Sequence, residues 1–531
     1  MYYILLVYYI VLSYEKMRRA LSLCLLAVFP FALHAQIKTI AESPSFEEPS
    51  GGLARILQLK NGNTLYVHFP SKGVNIQLYD SSHRRIDTTT GTSTFAHIRN
   101  GNLDAIFESQ GNATVLYSVK ESKRPLLVRL TIDAGTGQLL REDTVANLDK
   151  VNRRKKKLSS SDFLVIKDPY SENYAVWMYA NMEEADAGYE IVHYAADHHE
   201  ISRARFTGPD NETRFQYWDM VVIGDKKLCI LGMAQNAANE VASSEMKLAT
   251  LEKGHIFFRF SSLSFPTGVS VQGGFVKYNP YTDQLILLEA HLKEDKKMAT
   301  WLTTVQLSTM EAVAAKEIFP DKANQKSLEV FGPKASYEGV PQNVFIKKDG
   351  GYSIVFEELD NFVRLVNSVP VVISTILSNV AVIDMDAEGK EINTWMVPKR
   401  QLNPGLIMKA FYQKNRENAT DKIDLSDQYK FFSYVPGVKH DYILMNDLEE
   451  NKEKLEKGKL TVMRDAREGN GFYYALEGKE VIPRRNAVFQ QQKNIALFSM
   501  ADYDIDRNTL VTLKRSQENR RDVKLVWLNV H

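Results

Sequence analysis

The stretch Asp168-Pro169-Tyr170-Ser171-Glu172-Asn173 returns 111 residues later as Asn279-Pro280-Tyr281-Thr282-Asp283-Gln284. Each copy sits between two apolar runs, Phe163–Lys167 and Tyr174–Tyr179 around the first, Gly274–Tyr278 and Leu285–Leu288 around the second. Pro fixes φ and gives up an N–H, while Asp, Asn, Ser and Thr bond their own backbone, so both copies are turns between strands. An internal echo of this kind restricts the chain to architectures built from repeated small units.

The same grammar recurs along the chain. Ile56–Lys60 and Thr64–Phe69 flank Asn61-Gly62-Asn63, and Val74–Tyr79 and Arg85–Thr89 flank Asp80-Ser81-Ser82-His83, which gives two hairpins. Phe95–Arg99 then leads into Asn100-Gly101-Asn102, the same tripeptide 39 residues on, followed by Asp104–Ser109, Leu126–Ile132 and Gln138–Val145. A third unit spans Phe163–Phe206. Its turn Tyr194–Ile201 aligns without gaps on Tyr79–Ile86, and Ile383–Lys390 is a third turn of that type. Further units cover Phe215–Phe265, Val269–Phe319, Val344–Val397, Tyr429–Ile482 and Asn486–Val530.

Units of four short strands at this spacing resemble the blades of a β-propeller. The resemblance covers nearly all of residues 53–531 and implies an all-β fold, a seven- or eight-bladed β-propeller of four-stranded blades in a single domain. It is architectural rather than familial, because neither Gly-His…Trp-Asp pairs nor a kelch-type Gly-Gly run occurs. Each small sheet has apolar faces that it cannot cover alone, and neighbours packed around a ring cover them. Two or three separate sandwiches would need linkers longer than any visible here.

Two segments lie outside that ring in this reading. Met17-Arg18-Arg19, the apolar Ala20–Phe31 and Leu33-His34-Ala35 have the charged, apolar and small-residue regions of an export signal, which places residues 1–35 in an extension and leader cleaved after Ala35. Leu23 precedes Cys24 where a lipid-anchored protein needs a small residue. Residues 36–52 are turn-rich and read as a lead-in. After cleavage Cys229 is the one cysteine left, so no internal disulfide holds the fold. Its neighbours Leu228, Ile230 and Leu231 assign it to the core.

Lys+Arg 66 against Asp+Glu 65 gives a net charge of +1, which argues against nucleic acid as a partner, since that needs a strong basic field. The run Asn152–Lys157 reads as a solvated loop. Tyr2–Leu12 is too short to span a bilayer, and no transmembrane segment is expected in the mature chain. Phe362–Ser378 is densely apolar and is either an extra strand pair or a lid on one face of the ring. Asn403–Asp427 reads as a polar crossing between units.

No reactive constellation emerges from the residues, and the reading assigns no catalytic, cofactor-binding or metal-binding residue. Asp502-Tyr503-Asp504-Ile505-Asp506-Arg507-Asn508 has alternate acids, as a calcium loop has, but Arg507 stands at the sharp-turn glycine and Leu513 at the bidentate glutamate. Asp197-His198-His199-Glu200 aligns on an ordinary hairpin turn. Trp177, Trp218, Trp301, Trp395 and Trp527 lie in apolar strands and read as core. Asp87-Thr88-Thr89 and Asp143-Thr144-Val145 match a short O-glycosylation acceptor of exported proteins. The expectation is an exported propeller that binds a protein or glycan through one face without catalysis. The alternatives are a propeller hydrolase or lyase on glycan or peptide, and a structural member of a cell-envelope complex.

Overall fold

A computed structural model describes the chain from Ile37 to Val530, except residues 50–52, 71–73, 87–101, 122–123, 149–162, 179–188, 207–212, 237–244, 264–269, 294–297, 367–368, 406, 417–427, 490–492 and 517–521. The leader expected at residues 1–35, the run Asn152–Lys157, the motif Asp87–Thr89 and the strand expected at Phe95–Arg99 lie outside the described residues.

Eight antiparallel sheets follow one another along the chain. Blade one runs Leu53–Gln58, Thr64–Phe69, Asn75–Tyr79 and Arg85–Ile86. Blade two runs Asn102–Ser109, Asn112–Glu121, Arg124–Asp133 and Leu139–Asn147. Blades three to five span Phe163–Phe206, Thr213–Ser262 and Ser270–Ile318, and blades six and seven span Val340–Val397 and Ser433–Ala487. The first strands of blades one to five lie side by side along the axis. The fold is a β-propeller, and of the seven or eight blades that the sequence allows it has eight.

Side-chain alternation explains why the ring holds. In Tyr174–Met178 every residue is buried; Tyr174, Val176 and Met178 pack toward blade two, while Ala175 and Trp177 pack toward blade four. A strand of period two thus feeds two cores. Eight apolar clusters result, each shared by two neighbouring blades, and the last joins blade eight to blade one through Trp527, Val511, Ile56 and Tyr66.

Blade eight is built from both ends of the described chain. Asn494–Ala496 and Asp502–Asp504 pair with Thr509–Ser516, which pairs with Asp522–Asn529. Outside these, Lys38–Glu42 and Phe46–Glu47 from the lead-in segment add the fourth strand. Residues 36–52, read from sequence as a lead-in to the ring, therefore contribute the strand that closes it.

The hairpins joining first to second and third to fourth strands make one end of the ring, here the turn face. Its turns repeat in geometry as well as sequence. His83, His198 and Gly389 take φ of 63°, 70° and 76°, and the closing bonds Asp80 N to Arg84 O, Ala195 N to His199 O and Asp386 N to Lys390 O are 2.8, 2.9 and 3.0 Å. Of the Asn100-Gly101-Asn102 echo, Asn102 opens the first strand of blade two instead, and the turn matching Asn61-Gly62 is Gln110-Gly111.

Candidate functional site

Neighbouring blades are clamped to each other on the turn face. Asn61 and Asn63 donate through Nδ2 to Ala134 O at 3.1 and 2.8 Å. Asp168, buried, accepts from Gly224 N at 2.8 Å and Tyr170 N at 2.9 Å. Asn279 donates to Gly350 O at 2.8 Å, and Arg507 to Leu59 O at 2.9 Å. The two copies of the founding motif therefore tie blade three to four and blade five to six. In the acidic run, Asp504 Oδ1 accepts from Asp506 N and Arg507 N, each at 2.9 Å, and Asp502 accepts from Gln58 N at 2.6 Å. Among the described residues no cluster of three His, Cys, Asp or Glu is placed to hold a metal.

The other side chains singled out in the sequence are spread through the ring. His198 Nδ1 lies 3.3 Å from Tyr174 Oη, and burial pushes its pKa down to about 4, while His199 pairs with Asp197 on the surface. Trp177, Trp395 and Trp527 are buried, and Trp218 and Trp301 half-buried. Cys229 is fully buried, 3.9 Å from Thr250 Oγ1, and burial raises its thiol to about 11, so it is a core thiol with no readily formed thiolate.

The opposite end, the mouth, carries the blade-to-blade connections. Beyond blade six the chain turns back: Gln401–Pro404 pairs with Ser374–Leu377, then the helix Tyr412–Arg416 and the helical turn Gln428–Lys430 follow. Phe411 packs edge-on against Phe275 of blade five, with ring centroids 5.1 Å apart, and its N–H bonds Pro341 O of blade six at 2.8 Å. Lys414 reaches Asp219 of blade four at 3.0 Å, and Asp219 also accepts from Val276 N at 3.0 Å. Farther on, Tyr429 enters the core shared by blades eight and one and donates to Glu48 at 2.9 Å, which Arg515 meets at 3.0 Å. One connection thus touches blades on both sides of the axis and caps the mouth.

Under this cap lie ionisable groups that sequence reading missed. Glu357 and Lys399 pair with no exposed surface on either side chain, and Tyr412 Oη donates to the same carboxylate. Burial pushes Glu357 up and Lys399 down, and the charge of each opposes the shift of the other. Beside them Glu358 accepts from Glu338 N at 3.1 Å and Asn379 Nδ2 at 2.8 Å, and burial raises it to about 7. In blade five, His291 Nε2 and Glu289 Oε2 are 3.2 Å apart and both side chains are buried. The signal that was available is a charge inside an apolar strand: Glu289 and His291 in Leu285–Leu292, and Glu357 after Ile354-Val355-Phe356.

An open groove of about 1080 Å³ lies outside the cap, between blades seven and eight. Glu42 occupies it between Lys514 at 2.5 Å and Lys524 at 3.1 Å. Burial raises the Glu42 carboxyl, but the hydrogen bonds and charges of Lys514 and Lys524 together outweigh it and leave the group below its usual range. Phe489 presents its ring face to Lys514, 4.9 Å from the centroid, and Thr39, Ser45 and Asn494 add polar groups to the wall. Such a wall can hydrogen-bond a hydroxyl-rich or peptide chain.

No family model matches the chain, and no curated protein matches it. Solved structures similar to it include the polysaccharide lyase Uly1, with a TM-score of 0.37 and 9% identity over 93% of this chain and 100% of that one. Prolyl oligopeptidase B from Galerina marginata gives 0.40 and 7%, over 89% of this chain and 56% of its own. An α-L-arabinofuranosidase from Fusarium graminearum gives 0.31 and 12%, over 61% and 92%. None of these matches carries a function to this chain. No helix among the described residues is long and apolar enough to cross a membrane.

Proposed function

We propose that this protein is an exported, non-enzymatic β-propeller that holds a protein or glycan ligand in the groove between blades seven and eight. The groove carries the reading: it is open, about 1080 Å³, and lined by Lys514, Lys524, Glu42, Thr39 and Asn494, a mixture of charge and hydrogen bonding. The capped mouth supports the non-enzymatic part, because Glu357 and Asp219 are already held by Lys399 and Lys414. The leader-like residues 1–35 support export.

A hydrolase or lyase acting on glycan or peptide is the second reading, favoured by the Glu289–His291 pair at 3.2 Å, which has the geometry of an acid–base couple. Glu289 stands beside Gly274, next to the Gly273 that Phe411 covers, so a substrate would have to displace the cap. The test is retention of an array of oligosaccharides and peptides by the wild-type protein and by Lys514→Ala/Lys524→Ala. Retention should fall at least tenfold in the variant. Shortened products released by the wild type, and abolished by His291→Ala, would establish the enzyme and overturn the binding-only reading.

A further inference from the structure

The second and third strands of blade six, Tyr352–Val366 and Val369–Met385, run far beyond the sheet. Their pairing continues through Phe362↔Ser374 and Val363↔Ile373 to Val366↔Val369. The apolar stretch noted in the sequence is thus an extra length of hairpin, an arm standing off the ring. On the far side of the arm, Gln401–Pro404 covers the third strand as far as Ser374. On the near side, the first strand of the blade stops opposite Glu357. Residues Leu359–Val366 therefore present a strand edge with no strand partner among the described residues.

That edge has few of the devices that keep edge strands apart. It has no Lys and no Pro, and Phe362, Val363 and Leu365 are exposed at 50%, 53% and 58%. Exposed apolar edges of this length are templates for another strand. The sequence of the edge says which strand fits. Laid antiparallel on a copy of itself about Phe362, it places Asp360 opposite Arg364 of the second copy and Arg364 opposite Asp360. Phe362 meets Phe362, and Leu359 meets Leu365 twice. Opposite residues in such a pair lie about 4.5–5.5 Å apart, close enough for these contacts. Asp360 and Arg364 are both exposed, and neither takes part in an ion pair among the described residues.

We infer that the arm of blade six pairs edge to edge with the arm of a second copy of this chain, making a two-fold dimer through a continuous sheet. A two-fold contact requires a self-complementary surface, and the order Leu359-Asp360-Asn361-Phe362-Val363-Arg364-Leu365 has that property about its centre. The occupant is a second copy rather than a bilayer, because charges of both signs flank Phe362 and find opposites only in this register.

Sedimentation of the purified protein between about 1 and 100 µM tests this. The wild type should move from one copy to two with rising concentration. Asp360→Arg and Arg364→Asp, each of which sets like charges opposite, should stay single, with circular dichroism unchanged because both positions are exposed. Mixed together, the two variants should associate. One arm then carries two basic side chains and the other two acidic ones, so both pairs across the two-fold are again opposite in sign. A wild type that stays single throughout, single variants that dimerise like the wild type, or a mixture that does not associate would each overturn the inference. A single-copy wild type that instead floats with neutral phosphatidylcholine vesicles would reassign the arm to a lipid surface.

Discussion

The turn face and the mouth of this ring are built from the same eight sheets by different means. On the turn face each hairpin solves its geometry with its own few residues and then reaches one blade further, as Asp168 does to Gly224 and Asn279 to Gly350. At the mouth, residues far apart in the chain complete one another: Glu357 with Lys399 and Tyr412, Asp219 with Lys414. The first arrangement spreads stability over many modest contacts, the second concentrates it in a few fully enclosed charges.

That difference sets the order of expected effects. Glu357→Ala or Lys399→Ala leaves one enclosed charge alone and should cost about 3–5 kcal/mol in urea unfolding. Glu357→Leu/Lys399→Met should cost much less than the two single changes together. Equal and additive losses would mean that the mouth is no more interdependent than the turns. Asp168→Ala should cost about 1–3 kcal/mol, because it orphans Gly224 N and Tyr170 N. Pro169→Ala, one exposed position away, should cost under about 1 kcal/mol.

The smallest effect is a slope with pH. Glu358 is raised from 4.5 to about 7 on folding, so the folded state binds the extra proton between those values, and stability falls as pH rises through that window. In Glu358→Gln the slope should become shallower in unfolding free energies measured between pH 5 and 8. An unchanged slope would assign it elsewhere, to groups such as Asp447, which burial raises to about 6.

The two faces also differ in how far they could be read from sequence. Turn chemistry is local: Asp-Pro-Tyr-Ser, Asn-Gly-Asn and the His83 and His198 turns declare themselves within eight residues, and the blade boundaries follow from them. Even so, locality misled once, since Asn100-Gly101-Asn102 has the residues of a turn but Asn102 begins a strand. Lys38–Glu42 was unreadable as a strand of the ring because its partner, Val526–Asn529, lies beyond all the other blades. The mouth resisted for the same reason, with Asp219 and Lys414 separated by 195 residues, and only a charge stranded in an apolar run hinted at it.

A ring fastened by its own two ends has a consequence for how the molecule is made. Lys38–Glu42 is synthesised before any blade and Asp522–Asn529 after seven of them, so the opening strand waits beside the maturing blades with its backbone donors and acceptors unanswered. Until the final strand arrives, the molecule is an open arc with adhesive ends, and a neighbouring arc is as good a mate as its own tail. Folding of this chain therefore depends on those two ends finding each other before either meets the end of another chain.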